Sequence, residues 1–194
     1  MRTPASVTKQ AILLAARERF AADGYDRATI RAIAADARID PAMVIRYFGT
    51  KEKLFAAAAE FELHLPSLDG VARERIGSHL VEHFVLRWEG DESLLALLRA
   101  AVTHEVAAER MREIFARQVA SLVTRLVDDP AEAPRRAGLI SSQILGLALC
   151  RYALRLPPVA ELSPAEVVAW LGPTVQRYLF AEPSPARSVD SAAS

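Results

Sequence analysis

The segment His79–His83, with the sequence HLVEH, is the part of the chain whose residue types and spacing most directly suggest catalytic chemistry. It matches the H-x-x-E-H pattern, in which two histidines on one helical face bind zinc while the glutamate acts as a base. Five residues match such a pattern easily by chance, and no convincing third-ligand motif follows. The surrounding residues have the spacing of an ordinary amphipathic helix. We therefore expect surface or pocket-rim histidines, with no metal, no cofactor and no enzymatic activity.

Disulfide chemistry and membrane insertion are not expected either. The single cysteine, Cys150, has no partner for an intramolecular disulfide and fits a reducing compartment. The start, MRTPASVTKQ, lacks the apolar core of a signal peptide, and no apolar run approaches the length of a membrane span. These features predict a cytoplasmic protein without a membrane partner.

Basic residues are concentrated in the first quarter of a chain whose formal net charge is zero. Up to Lys53 there are ten cations, including all three lysines, and six anions, so this part carries +4 and the remainder −4. Chance alone can produce a difference of this size. A small basic part joined to a larger acidic part still suggests that the two parts have different partners.

Helical periodicity dominates and strand alternation is nearly absent, which predicts an all-α protein of about nine helices. The apolar content of 52% is ample for a buried core. In the first quarter the helices are short, because Thr29 and Asp40-Pro41 are helix starts and Gly49-Thr50 ends one helix and begins the next. The predicted helices span about 6–22, 29–37, 40–49, 50–65, 71–88, 92–103, 105–127, 133–156 and 164–180.

Two short helices joined by a tight turn, as predicted within residues 28–54, form a helix-turn-helix arrangement. The outward positions mix cations, an aromatic hydroxyl and apolar groups small enough to approach base edges in a DNA groove. A three-helix module that binds another protein has the same spacing and remains the alternative from the pattern alone.

Residues 11–58 closely resemble the N-terminal DNA-binding domain of the tetracycline-repressor (TetR) family of bacterial transcription regulators. The resemblance rests on a series of landmarks in the family's order: Phe20, Gly24-Tyr25, Thr29-Ile30, Ile33-Ala34, Tyr47-Phe48 and Lys51-Glu52. Residues 139–156 and 170–180 also look like the last two helices of one branch of the family. The resemblance implies a DNA-binding domain over 1–50 and a ligand-binding and dimerisation domain over 51–182, followed by a tail, 183–194, whose small polar composition predicts disorder.

The same resemblance implies which residues contact DNA. Arg31 corresponds to a position that contacts a base, and the recognition helix faces base edges, whereas phosphates are bound from neighbouring positions. The implied DNA-contacting set is Thr29, Arg31, Pro41, Ala42, Met43, Ile45, Arg46, Tyr47 and Lys51. Two positions depart from the family pattern: Arg38 replaces the usual turn glycine, and Ile45 replaces a common tyrosine, which shifts base readout toward thymine methyl groups.

Members of the family typically dimerise through their last two helices and enclose a small-molecule pocket. An intramolecular core would use the same residue types and is the alternative for both sets. The predicted dimer-interface residues are Ile140, Ile144, Leu147, Trp170, Leu171, Val175 and Tyr178. The predicted pocket residues are Phe61, His64, Phe84, Trp88, His104, Met111 and Phe115.

These features together predict a homodimeric repressor that binds a palindromic DNA operator and is released by a small-molecule effector. The alternatives are an activator or a ligand-independent member of the same family, a helical protein-interaction module that does not bind DNA, and an H-x-x-E-H metal enzyme.

Overall fold

A computed structural model of the protein describes residues 4–58 and 63–182. The described residues contain helices and no strand, which confirms the predicted all-α fold. The first quarter, here called the head, consists of α1 (Pro4–Arg27), α2 (Ile30–Asp36), α3 (Pro41–Phe48) and the start of α4 (Lys51–Ala58).

The rest of the chain, here called the body, contains α-helices of 4 to 17 residues. The helix that ends at Ile114 continues into a π-helical turn at Phe115–Val119, and the helix that ends at Ala148 continues into one at Leu149–Ala153. The α-helices of the body are α5 (Ile76–Gly90), α6 (Glu92–Ala101), α7 (Glu105–Ile114), α8 (Ala120–Thr124), α9 (Ala133–Ala148), α10 (Pro157–Ala160) and α11 (Pro164–Phe180).

Side-chain caps start the three short helices of the head where the sequence predicts. The Thr29 hydroxyl accepts a hydrogen bond from the backbone N–H of Ala32 at 3.1 Å. The Asp40 carboxylate accepts one from Ala42 at 2.7 Å, with proline at the first helical position. Thr50 caps α4 in the same way. Each cap satisfies a backbone donor that the first helical turn leaves unpaired.

Tertiary contacts stabilise these short helices, since two turns cannot stand alone in water. Ile12 and Phe20 of α1, Ile33 of α2 and Val44 of α3 are all buried in the hydrophobic core. On the surface, Arg19 makes two hydrogen bonds of 2.7 and 2.8 Å to Asp36, which tie α1 to α2. Burial and this fork-like pairing together fix how α2 and α3 face outward.

The structure differs from the sequence prediction at two helix ends. The first helix continues to Arg27, with a break at Gly24, whose φ of 75° is the left-handed conformation that glycine tolerates. The fourth helix is described only to Ala58, and the chain is not helical at residues 63–65, where His64 has a φ of 47°. The predicted helix end near residue 65 is therefore wrong.

The body is packed closely around the pair α5 and α11. Gly77 of α5 lies so near α11 that an added Cβ would come within 2.6 Å of the backbone oxygen of Gly172. Two arginine side chains cap helix C-termini. Arg136 donates to backbone oxygens at the end of α11, and the buried Arg151 donates to those at the end of α10. Head and body are also in direct contact, because α6 packs on α1.

Candidate nucleic-acid interface and ligand cavity

The recognition helix α3 has one buried face and one exposed face. Val44 and Phe48 point into the head, while Pro41, Ala42, Ile45 and Arg46 are exposed. The predicted contacts Met43 and Tyr47 are half-buried beside them. Ile45 is 47% exposed although it is a large aliphatic side chain. Such an apolar group on an outward helix is suited to contact with a thymine methyl in the major groove.

Arg31 stands on the exposed side of α2, next to this surface. No hydrogen bond or ion pair engages its side chain within residues 4–58 and 63–182. Its guanidinium therefore keeps its full set of donors for a partner outside the chain. A planar fork of donors of this kind can make a bidentate contact with guanine.

The ammonium group of Lys51 already has two contacts within the chain, which the sequence did not indicate. Its ammonium group donates to the backbone oxygen of Asp26 at 3.1 Å and lies 4.5 Å from the centre of the Tyr25 ring. Three N–H donors are available on a lysine, so two remain for a phosphate oxygen. Thr29, which caps α2, is exposed at the same end of the head.

The turn between α2 and α3 keeps the left-handed backbone despite the missing glycine. Arg38 has a φ of 55°, which costs about 1–2 kcal/mol for a residue with a side chain. The strained residue is exposed and cationic. It therefore adds positive charge between α2 and α3, and the motif-based prediction did not include this charge.

A cluster of aromatic rings joins the head to the body. Tyr25 contacts Phe55 of α4 with ring centres 5.0 Å apart and His104 at 4.3 Å. His104, which immediately precedes α7, also lies 3.1 Å from an Asp26 carboxylate oxygen. The sequence suggested a pocket role for His104, whereas the structure places it against the head, 78 positions along the chain from its partner Asp26.

The Tyr25 hydroxyl is fixed by its surroundings. It donates a hydrogen bond of 2.9 Å to the carboxylate of Glu52. Burial first, and then this hydrogen bond and the charge of Glu52, raise the pKa of Tyr25 to about 12. The hydroxyl therefore stays protonated near neutral pH and holds α1 against α4.

The body contains a cavity of about 560 Å³, a volume typical of small-molecule sites. It lies between the end of α6, the α7 helix with its π-helical continuation, and one face of α9. Two polar residues, Ser141 and Arg112, contribute to its walls. The lining consists of Leu98, Ala101, Val102, Ala108, Met111, Arg112, Phe115, Ala116, Ala120, Pro134, Ala137, Gly138, Ser141 and Leu145.

Two of the predicted pocket residues, Met111 and Phe115, line this cavity. Phe84 and Trp88 do not, because the α5 face that carries them is buried in the core. His64 is exposed, His104 contacts the head, and Phe61 lies outside the described residues. The predicted set favoured aromatic side chains, whereas small residues form much of the actual wall, because a cavity opens where side chains are short.

The predicted dimer residues divide into two groups. Ile140, Ile144 and Val175 are at most 2% exposed, so they belong to the core of the single chain and this corrects their assignment to an interface. Trp170 is 77% exposed, the largest exposed fraction among the large hydrophobic side chains described. Leu147, Leu171 and Tyr178 are half-buried.

The histidines of the H-x-x-E-H segment hold a neighbouring loop. Nε2 of His83 lies 2.9 Å from the backbone oxygen of Leu63, and Nε2 of His79 lies 3.3 Å from that of Ser67. Since a carbonyl oxygen only accepts, both Nε2 atoms carry the proton in these contacts. Glu82 is exposed, and residues 4–58 and 63–182 contain no group of three or more His, Cys, Asp or Glu side chains that could hold a metal ion.

Within the described ranges, no helix is long and apolar enough to cross a membrane. A basic helix-turn-helix head on a larger helical body defines a DNA-binding transcription regulator. Residues 12–58 match the family model for bacterial regulatory proteins of the tetR family, and residues 74–179 match that for the tetracyclin repressor-like C-terminal domain. The chain belongs to the TetR family, and membership supports the expectation that it is not an enzyme.

Solved structures extend this similarity over nearly the whole chain. A TetR-family regulator from Streptomyces coelicolor A3 is 28% identical with a TM-score of 0.63, and the match covers 92% of this chain and 98% of that one. Salmonella enterica GusR has a TM-score of 0.67 at 19% identity, covering 91% and 97%. A transcriptional regulator from Rhodococcus sp. Rha1 has a TM-score of 0.65 at 21% identity, covering 88% and 95%. No curated protein matches the chain.

Proposed function

We propose that the protein is a homodimeric cytoplasmic repressor that binds a palindromic operator and releases it when a small molecule fills the cavity. The observation that carries this proposal is the position of α7. One end of this helix contacts the head through His104, and the other end lines the cavity through Met111 and Phe115. A ligand that displaces α7 therefore acts on the part of the chain that reads DNA.

Residues 1–50 supply the DNA-reading function in this proposal, and residues 51–182 supply dimerisation and ligand binding. Thr29, Tyr47 and Lys51 bind phosphates and set the register of the head on the duplex. Arg31 and the exposed side of α3 contact base edges. Arg46 adds a cation on the same helix, 5.6 Å from the centre of the Tyr47 ring.

A dimer is required because one short recognition helix reads too few bases for a specific site. Two heads spaced by about 34–36 Å read a palindrome in successive major grooves. The surface that supports this assembly is an outward stripe on each of the last two long helices. It comprises Leu139, Ser142 and Gly146 of α9, with Ala169, Trp170 and Pro173 of α11.

A ligand weakens DNA binding only if it favours a geometry in which the two heads no longer match the grooves. Movement of α7 would disturb the contacts of His104 with Tyr25 and Asp26. From α4, Lys51 contacts both of these residues and Phe55 contacts Tyr25, so α4 acts as the lever that follows. The aromatic cluster is thus the proposed route from cavity to head.

Removal of His104 tests this route without a ligand. We expect His104→Ala to broaden the distribution of head-to-head distances, because the head loses the contacts of His104 with Tyr25 and Asp26. The distances are measured by electron paramagnetic resonance between spin labels at Lys53→Cys in a dimer whose Cys150 is replaced by serine. His79→Ala is the matched control, since His79 also holds a backbone oxygen but lies away from the head. An unchanged distribution in His104→Ala would contradict the route.

The regulatory role itself is tested with DNA from upstream of the protein's own gene. We expect a mobility shift with that fragment at protein concentrations that leave scrambled DNA unbound. A transcription reporter on the same fragment should lose activity when the protein is supplied. Increased reporter activity would indicate an activator, and a missing shift on all DNA would instead favour a protein-interaction module.

A further inference from the structure

We propose that the effector is an uncharged, largely hydrocarbon molecule of roughly 20 non-hydrogen atoms with a single hydrogen-bonding group. This inference rests on the proposed function, because it names the class of ligand that would release DNA. The size follows from the cavity of about 560 Å³, if each non-hydrogen atom takes ~30 Å³, as a water molecule does in the liquid. The remaining properties follow from its walls.

The walls offer apolar contact almost everywhere. Met111 and Phe115 supply large apolar surfaces, and several alanines with Gly138 make room beside them. An added Cβ at Gly138 would meet no atom within 4 Å, so the cavity reaches the backbone of α9. A ligand with many polar groups would lose hydrogen bonds to water here without replacement, which disfavours its binding.

The charged residue on the wall is already neutralised. Arg112 is hydrogen-bonded to both Glu105 and Glu109 on α7, and these carboxylates do not line the cavity. The three side chains together carry −1, so an anionic ligand gains no net attraction from Arg112. A cation gains little either, because the carboxylates are 81% and 62% exposed and water screens them. Ser141 remains as the hydrogen-bonding group that a hydroxyl, ketone or ester can meet.

The backbone supports a ligand site at this place. Phe115 and Ala116 line the cavity from a π-helical turn inside the run from α7 to α8. Single π-helical turns widen a helix at a cost in backbone geometry, and they occur frequently at functional sites. Here the turn lies at the end of the helix whose other end contacts the head.

Three probes with the same ten-carbon chain separate the ligand classes: 1-decanol below its solubility limit, and decanoate and decyltrimethylammonium below their micellar concentrations. We expect the full-length protein to bind decanol at least tenfold more tightly than either charged probe in titration calorimetry. Equal or tighter binding of decanoate or of the ammonium probe would overturn the assignment of an uncharged ligand.

Variants locate the binding. Gly138→Phe fills the cavity from α9, and Ala116→Phe fills it from the opposite wall, so one remains informative if the other fails to fold. Gly90→Phe is the control, because an added Cβ there also meets nothing within 4 Å and Gly90 does not line the cavity. We expect at least a tenfold loss of decanol affinity in a folded cavity variant and none in the control.

Two further results would overturn the proposal. Unchanged decanol affinity in the cavity variants would place the probe elsewhere, and conversion of both variants to monomers in light scattering would mean that a second copy of the chain occupies the cavity. Operator binding without probe is measured in parallel. If the unmodified protein does not bind the operator, this contradicts the proposed function but leaves the probe result intact.

Discussion

Replacing Arg31 with alanine should lower operator affinity by about 1–3 kcal/mol per half-site and relax the preference at one base position. The side chain is exposed beside the recognition helix, and no residue of the described ranges engages its guanidinium. A bidentate contact with guanine accounts for the size of the effect, because alanine leaves both base acceptors unpaired. Binding titrations against a set of single-base operator variants measure the preference directly.

Lys51→Ala provides the matched comparison, since it removes another cation of the same head. Lysine binds phosphate as a point charge and carries no base information. We expect Lys51→Ala to weaken operator and scrambled DNA about equally. The slope of log affinity against log salt should fall by about one unit per lost phosphate contact in each subunit.

The two variants must behave differently for the assignment to hold. Uniform weakening by Arg31→Ala with unchanged base preference would mean that Arg31 binds a phosphate. The strained Arg38 provides a physical reason for such an outcome, because it lies in the turn between α2 and α3. Lys51→Ala also loses the contacts with Tyr25 and Asp26, so its unfolding free energy is measured alongside.

Local features of the head could be predicted from the sequence because the relevant physics is local. A cap residue and the backbone donor it satisfies are two or three positions apart, so Thr29, Asp40 and Thr50 could be recognised without a structure. The core positions Ile33 and Val44 follow from helical periodicity in the same way. These short-range rules account for the correct placement of the helix-turn-helix.

Contacts between distant parts of the chain could not be predicted in this way. The pairing of His104 with Asp26 joins the start of α7 to the C-terminal end of α1, and no pattern in either segment indicates the other. The cavity could not be predicted either, because much of its wall consists of small residues such as Ala116 and Gly138, whose types do not indicate a binding site. Phe84 and Trp88 were predicted as pocket residues because they are aromatic, but both are buried in the core.

The predicted dimer-interface residues show which question helical periodicity leaves open. An apolar stripe on α9 indicates that Ile140 and Ile144 are buried, but it does not say whether the neighbour belongs to the same chain. In the structure the core of one chain covers both residues. The surface left for a partner is the adjacent stripe, where Leu139 is 42% exposed and Gly146 leaves the helix flat.

Trp170 is the residue on which we expect a dimer to depend most. An aromatic hot-spot side chain at the centre of an interface contributes about 2 kcal/mol or more. In a two-fold symmetric dimer each subunit places one copy of this side chain in the interface. Trp170→Glu removes this apolar surface and places a charge in the interface. We expect the dimer dissociation constant to rise by at least about 100-fold, equivalent to ~2.8 kcal/mol, as measured by analytical ultracentrifugation.

Loss of the dimer should also abolish specific DNA binding, because a single head reads only a half-site. Trp170→Glu should therefore bind the full operator no better than an isolated half-site, while its head remains folded by circular dichroism. Leu86→Glu is the matched control, since Leu86 is 62% exposed on α5 and lies on neither α9 nor α11. A Trp170→Glu protein that stays dimeric at micromolar concentration would exclude this stripe as the interface, and a monomeric unmodified protein would contradict the dimer itself.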